Sequence, residues 1–117
     1  MLSINELESL NQQILENLTP LEPQKIILFG SHAWGTPDKE SDLDLYVVTN
    51  DNFIPSNWKE KSKIYLKYIK NLDKLNSQTG VDLIVHTKPM HQKFIQMDGM
   101  FCRKIMQQGV TLYEATD

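Results

Sequence analysis

The sequence GSHAWGTPDKESDLDL, residues 30–45, contains a Gly-Ser step and an Asp-x-Asp pattern next to apolar runs. The preceding run KIILF, residues 25–29, is apolar and stops at the glycine, which predicts a short buried strand. In DLDLYVV, residues 42–48, polar and apolar side chains alternate at the start, so Asp42 and Asp44 share one face of a second strand. The segment thus predicts two strands with two carboxylates on one side of the second.

The rest of the chain alternates between helix and strand patterns. Ser3 and Glu6 have the spacing of a capping box, and apolar residues recur at helical spacing as far as Leu18. Further helices are predicted over residues 57–75 and from about His91 to Gln108, and further strands over 81–86 (VDLIVH) and 110–114 (VTLYE).

The lengths of the connections predict the sheet topology. Residues 30–41 are too few for a parallel crossover, so the first two strands are expected to be antiparallel. Residues 49–80 are long enough for a helical crossover, so the second and third strands are expected to be parallel. The prediction is an α/β fold with a small mixed sheet flanked by helices. The residues that this topology brings to one edge of the sheet are Gly30, Ser31, Asp42, Asp44 and Asp82.

Length and composition exclude several classes of protein for this chain. A chain of 117 residues fits a single domain, residues 1–117. Its net charge of -3 argues against direct binding of nucleic acid, which needs a basic surface. The one cysteine, Cys102, cannot form an internal disulfide, and neither a signal peptide nor an apolar run that could span a bilayer is present. These features favour the cytoplasm.

The converging residues suggest metal-assisted phosphate chemistry. Aspartates at i and i+2 on a strand lie about 7 Å apart at the backbone, which suits ions about 3.5 to 4 Å apart. Carboxylate oxygens are ligands that magnesium prefers, and Asp82 can complete the site and accept a proton from an incoming hydroxyl. The Gly30-Ser31 turn offers backbone N–H groups and a hydroxyl to phosphate oxygens. The expected reaction is in-line attack on the α-phosphate of a nucleotide.

The motifs GSHAWGTPDKESDLDL and VDLIV resemble the nucleotidyltransferase superfamily that includes DNA polymerase β. The layout of the whole chain is similar to that of the minimal nucleotidyltransferases paired with HEPN-domain ribonucleases in toxin-antitoxin systems. The resemblance implies that Gly30 and Ser31 bind the triphosphate of ATP and that Asp42 and Asp44 hold two Mg²⁺ ions. It implies that Asp82 is a metal ligand and the base for the acceptor hydroxyl. The implied activity is transfer of AMP from ATP to a tyrosine of the partner HEPN toxin, within a hetero-oligomer.

The phosphate-binding motif departs from the family pattern at one position. Many relatives carry arginine either two residues before the second glycine of this loop or directly before it, and here Trp34 precedes Gly35. This departure keeps two other functions open. One is an antitoxin that neutralises its partner by binding alone, and the other is nucleotidyl transfer to a small molecule such as an aminoglycoside.

Basic and histidine side chains outside the motif give weaker predictions. The lysines of the 57–75 helix favour a solvated face, with Lys63 and Lys67 as the better candidates for contact with triphosphate or an acidic partner. His86 is expected to be a half-buried structural histidine rather than a zinc ligand. His32 lies in the phosphate loop, where contact with phosphate is the less favoured interpretation.

Overall fold

The computed structural model describes residues 2–35, 37 and 41–116. Four strands form one sheet, and helices cover both of its faces. The strands are β1 (Lys25–Phe29), β2 (Leu43–Val48), β3 (Val81–His86) and β4 (Val110–Glu114). The helices are α1 (Ile4–Leu18), α2 (Ser31–Trp34), α3 (Trp58–Asn71), α4 (Asp73–Gln78), α5 (Lys88–Met97) and α6 (Met100–Gln108). A 3₁₀ turn, Thr19–Leu21, follows α1.

The strand order is β3-β2-β1-β4. β1 pairs antiparallel with β2 and β4, whereas β2 and β3 run parallel, so the mixed sheet predicted from the connection lengths is confirmed. The crossover between β2 and β3 contains α3 and α4, which bring the chain back to the edge where β2 starts. The beginnings of β2 and β3 therefore lie side by side with the end of β1.

The capping box at the start of α1 is present. The Oγ of Ser3 accepts a hydrogen bond from the backbone N–H of Glu6 at 3.1 Å, and the Oε1 of Glu6 accepts one from the N–H of Ser3 at 3.2 Å. Both bonds satisfy N–H groups that the first turn of a helix leaves without partners. The helix then buries Ile14 and Leu18 completely against the sheet.

Alternating side chains divide the sheet into two faces. We call the side covered by α1 and α3 the α1 face, and the side covered by α5 and α6 the α5 face. On β2, Leu43, Leu45 and Val47 belong to the α1 face, and Tyr46 and Val48 to the α5 face. Alternate residues of a strand share a face, so Asp44 on β2 and Asp82 on β3 also belong to the α5 face. The other buried residues of the α1 face are Ile14, Leu18, Ile26, Leu28, Tyr68, Leu72, Leu75, Leu83 and Val85.

The predicted helix from His91 to Gln108 is two helices and begins earlier, at Lys88. The break lies at Asp98, which adopts the left-handed conformation with φ of 48° and is followed by Gly99. A left-handed residue ends an α-helix because its backbone cannot continue the right-handed spiral.

The predicted helix over residues 57–75 is also divided, with Leu72 between α3 and α4. The second strand begins at Leu43 rather than at Asp42, which lies just before it. Within the described ranges, no helix is long and apolar enough to cross a membrane.

Candidate active site

The central carboxylate of the predicted site is on β2 and has a neighbour on each side. Asp44 is paired in register with Phe29, the last residue of β1, and with Asp82, the second residue of β3. Asp42 lies two residues earlier, next to the start of β3, because the N–H of Leu43 donates a hydrogen bond to the carbonyl of Gly80 at 2.8 Å. The structure thus brings the three predicted aspartates and the end of β1 to one edge of the sheet.

The carboxylates influence one another electrostatically. The pKa of Asp44 is raised to about 6 by burial, by the charge of Asp82, by a hydrogen bond with the Asp82 side chain and by the charge of Asp42. Asp42 and Asp82 are exposed, whereas Asp44 is half-buried. Negative charge is therefore concentrated around Asp44, and a bound cation would relieve the repulsion.

Two glycines make room for these carboxylates. A Cβ atom at Gly30 would overlap the carboxylate of Asp44, and the φ of Gly30 is +76°, a conformation that other residues rarely adopt. A Cβ atom at Gly80 would overlap the carboxylate of Asp42. The sequence pattern indicates Gly30 but not Gly80, because a glycine directly before a strand is explained equally well by a turn.

The predicted phosphate loop is a single helical turn directly after β1. The carbonyl of Gly30 accepts hydrogen bonds from the N–H groups of Ala33 at 2.9 Å and Trp34 at 3.0 Å, so α2 starts at Ser31. The first N–H groups of a helix have no carbonyl within the helix to bind, and anions bind well there. His32 is half-buried within this turn.

Trp34 points toward an aromatic cluster and a lysine. Its ring centroid lies 6.1 Å from that of Phe29, and the Nζ of Lys104 on α6 lies 4.8 Å from the centre of the Trp34 ring. This cation–π contact holds a positive charge beside the phosphate loop. Lys104 was not among the predicted site residues, because only the packing of α6 against β1 brings it to Trp34.

The chemistry of the donors fits magnesium. Among residues 2–35, 37 and 41–116, no three His, Cys, Asp or Glu side chains form a ready-made metal cage. Magnesium does not need one, since it is usually held by one or two carboxylates and completed by water and phosphate oxygens. Asp44 with either neighbour supplies such a pair, and burial, followed by the charge of Asp82, raises the pKa of Asp44 to about 6.

His86 has a structural environment, as predicted. Its Nδ1 lies 2.9 Å from the hydroxyl of Tyr46, which also lies 2.7 Å from the Nδ1 of His91. Burial lowers the pKa of His86 to about 4 and also lowers the pKa of His91. Both imidazoles are therefore neutral at pH 7 and bind the buried tyrosine hydroxyl between them.

The two lysines singled out on the helix lie away from the carboxylates. Lys63 and Lys67 line a pocket with Asp51 and Phe53, which follow the far end of β2. Asp44 lies near the opposite end of that strand. The interpretation of these lysines as triphosphate ligands is not supported, because α3 runs back from the far end of β2 and presents its early residues there.

Comparison with known proteins identifies the family and the fold. Residues 11–117 match the family model described as polymerase beta, nucleotidyltransferase. No curated protein sequence is significantly similar to the chain. Among solved structures, a toxin-antitoxin with AMP-PNP has 22% identity and a TM-score of 0.55 over 91% of this chain and 74% of that one. A complex of tri-AMPylated HEPN toxin from Shewanella oneidensis with MNT antitoxin has 19% identity and a TM-score of 0.55 over 93% and 73%.

A third solved structure, a variant of the toxin-antitoxin MntA-HpeT, has 19% identity and a TM-score of 0.56 over 91% of this chain and 74% of that one. At these identities the structural matches establish a shared fold. The family model covers nearly the whole chain and includes the Gly-Ser turn and all three aspartates. The chain belongs to the polymerase beta nucleotidyltransferase family.

Proposed function

We propose that the chain is a magnesium-dependent nucleotidyltransferase that moves AMP from ATP to a tyrosine hydroxyl of a HEPN-type ribonuclease toxin. The observation that carries this proposal is the register of Asp44, which lies beside Asp82 on one strand and the end of β1 on the other. This arrangement aims the Gly30 turn and the carboxylates at the same edge of the sheet, as binding of a metal-bound triphosphate requires.

Each residue has a role in this reaction. Asp42 and Asp44 would hold two Mg²⁺ ions, which supply positive charge to the phosphates when bound. Gly30 and Ser31 would bind triphosphate oxygens through backbone N–H groups. Asp82 would accept the proton as the acceptor oxygen bonds to the α-phosphorus. The bond from that phosphorus to the bridging oxygen breaks, and pyrophosphate leaves.

The proposed partner is supported by the structural neighbours. The three compared structures are toxin-antitoxin proteins, and one of them contains an AMPylated HEPN toxin. We infer that this chain acts as one domain, residues 1–117, in a hetero-oligomer with such a toxin. A protein acceptor would supply much of the acceptor surface itself.

A second candidate function is neutralisation by binding alone. One observation favours it. Trp34 directly precedes Gly35, where the family resemblance implies an arginine. In this case the site would no longer catalyse transfer, and the chain would inhibit its partner by covering the partner's surface.

The deciding experiment uses ATP labelled at the α-phosphate, Mg²⁺, the purified chain and its co-encoded HEPN partner. We expect label on the partner, and a loss of at least about 100-fold in the Asp42→Asn variant because a metal ligand is removed. Glu8→Gln is the matched control, since it removes one negative charge from the exposed surface of α1. Its transfer rate should equal that of the wild type.

The alternative outcomes are distinct. Equal transfer by the Asp42→Asn variant and the wild type would overturn the proposed mechanism. Absence of label combined with tight binding and toxin neutralisation would establish the second candidate function. Transfer that stops in the variant while neutralisation persists would show that the chain transfers AMP but neutralises its partner by binding.

A further inference from the structure

We propose that the turn between α5 and α6 is the surface on which the acceptor protein docks, an inference that rests on the proposed function. Large apolar side chains are exposed there within seven residues of sequence. We call them the elbow patch: Ile95 (45% exposed), Met97 (82%), Met100 (88%) and Phe101 (50%).

The exposure of the elbow patch is selective. The same two helices bury Cys102 and Ile105 and pack Phe94 against the sheet, so their inner sides are already apolar. The patch is additional apolar surface directed to solvent. Contiguous exposed apolar surface marks sites of interaction, and methionine side chains adapt readily to a partner.

Hydrogen bonds hold the turn between α5 and α6 in shape. The guanidinium of Arg103 donates hydrogen bonds to both carboxylate oxygens of Asp98, from Nε at 2.8 Å and from Nη2 at 2.5 Å. The N–H of Asp98 also bonds to the carbonyl of Ile95 at 3.1 Å, and the N–H of Arg103 to that of Gly99 at 3.0 Å. A bidentate pair of this kind orients the two helix ends, although an exposed ion pair adds little stability.

The elbow patch adjoins the candidate active site. The ring of Phe101 packs edge-on against that of Phe29 with the centroids 5.7 Å apart. Phe29 directly precedes Gly30 and is in register with Asp44. The patch is on the α5 face, which also contains the aspartate positions. A protein seated on it would therefore place its own surface beside the carboxylates.

A second exposed apolar group lies in the wrong place for delivery of an acceptor. Phe53, Ile54 and Trp58 are 48%, 45% and 81% exposed. They follow the far end of β2, whereas Asp44 lies near its start. A partner bound there would have to extend along the whole strand to reach the site.

The charge of the α5–α6 segment indicates the chemistry of the partner surface that would bind there. Residues 88–109 contain four basic residues and one acidic residue, although the whole chain has a net charge of -3. Two of the basic residues, Arg103 and Lys104, follow the elbow patch closely in sequence. The surface of the HEPN partner that fits the patch should therefore combine apolar side chains with acidic ones, and place the acceptor tyrosine at its rim.

The test measures binding and transfer separately. We expect Met97→Glu and Met100→Glu each to weaken the Kd for the HEPN partner at least about 10-fold, since each removes an apolar contact and adds a repelled charge. The KM for the partner should rise in parallel, with little change in kcat at saturating partner. Trp58→Glu is the control, since it also replaces an apolar side chain of similar exposure (81%) by glutamate, and it should keep the wild-type Kd.

The outcomes distinguish failure of the docking inference from failure of the proposed function. Wild-type binding by both methionine variants would overturn the docking inference and leave the proposed transfer standing. A wild-type chain that neither binds nor labels the HEPN partner would overturn both. A changed oligomeric state of the isolated chain in the Met97→Glu variant, with partner binding intact, would instead assign the patch to contact between copies of this chain.

Discussion

The two faces of the sheet bury different kinds of side chain, although the same strands build both. The α1 face holds aliphatic residues and a tyrosine, packed under α1, α3 and α4. The α5 face holds rings and imidazoles around Tyr46 and Phe29, and carboxylates at its edge. A uniform apolar layer stabilises a fold without specifying a site. The mixed layer tolerates unfavourable polar groups because the opposite face supplies the apolar burial.

Three consecutive residues of β2 show this division most directly. Asp44 and Tyr46 lie on the α5 face, and Leu45 between them lies on the α1 face. Substitutions at these neighbours should therefore affect stability and activity in different ways.

The largest expected effect on stability comes from Leu45→Ala on the α1 face. Leu45 is fully buried, so the truncation should lower the free energy of unfolding by about 2–5 kcal/mol. Transfer per folded molecule should stay unchanged, because the side chain points away from the carboxylates. Urea titration and the label-transfer assay measure the two quantities. A loss below 1 kcal/mol would show that the α1 face is loosely packed.

The next effect concerns the hydroxyl of Tyr46 on the α5 face. Tyr46→Phe should cost about 1–3 kcal/mol, because it leaves the imidazoles of His86 and His91 without the group that joins them. Tyr68→Phe on the α1 face is the comparison, and its smaller expected loss reflects a hydroxyl that does not lie between two imidazoles. If urea unfolding gave equal losses of stability for Tyr46→Phe and Tyr68→Phe, the Tyr46 hydroxyl would not contribute the stability expected from its bonds to the two imidazoles.

A smaller effect, of opposite sign, is expected at Asp44. Its pKa of about 6 in the folded chain exceeds the ordinary 3.8, so the contribution of Asp44 to stability is greatest below pH 4 and is lost as the pH rises through 6. Without Mg²⁺, Asp44→Asn should raise the unfolding free energy at pH 8 by about 1 kcal/mol, a value reduced for solvent screening. The gain should vanish below pH 4. Thermal unfolding of both proteins across this pH range would detect the gain. A lower stability of the variant at pH 8 would contradict the claim that the neighbouring carboxylates repel Asp44.

The smallest effect is expected at Lys104, which places a cation over Trp34. Lys104→Gln should raise the KM for ATP several-fold and leave the free energy of unfolding within about 0.5 kcal/mol of the wild type. Lys93→Gln, which is exposed on α5, is the matched control. An unchanged KM in both variants would show that this lysine does not assist the phosphate loop.

The sheet and the meeting of the aspartates were predictable from sequence because they depend on local quantities. Connection lengths gave the strand directions, and alternation gave the faces. The contact of Lys104 with Trp34 and that of His91 with Tyr46 join distant segments, so no local pattern contains them. Helical periodicity placed Lys63 on a face of α3 but gave no information about which end of the sheet that face would meet.

The same connection lengths have a consequence for folding. The turn between β1 and β2 brings Gly30 and Asp44 together after closing a loop of 14 residues, whereas Asp44 meets Asp82 only after a loop of 38 residues is closed. Loop-closure entropy makes the second event less favourable by roughly 1 kcal/mol. The hairpin should therefore form first and the third aspartate arrive last, an order that pulsed hydrogen exchange on β2 and β3 would measure.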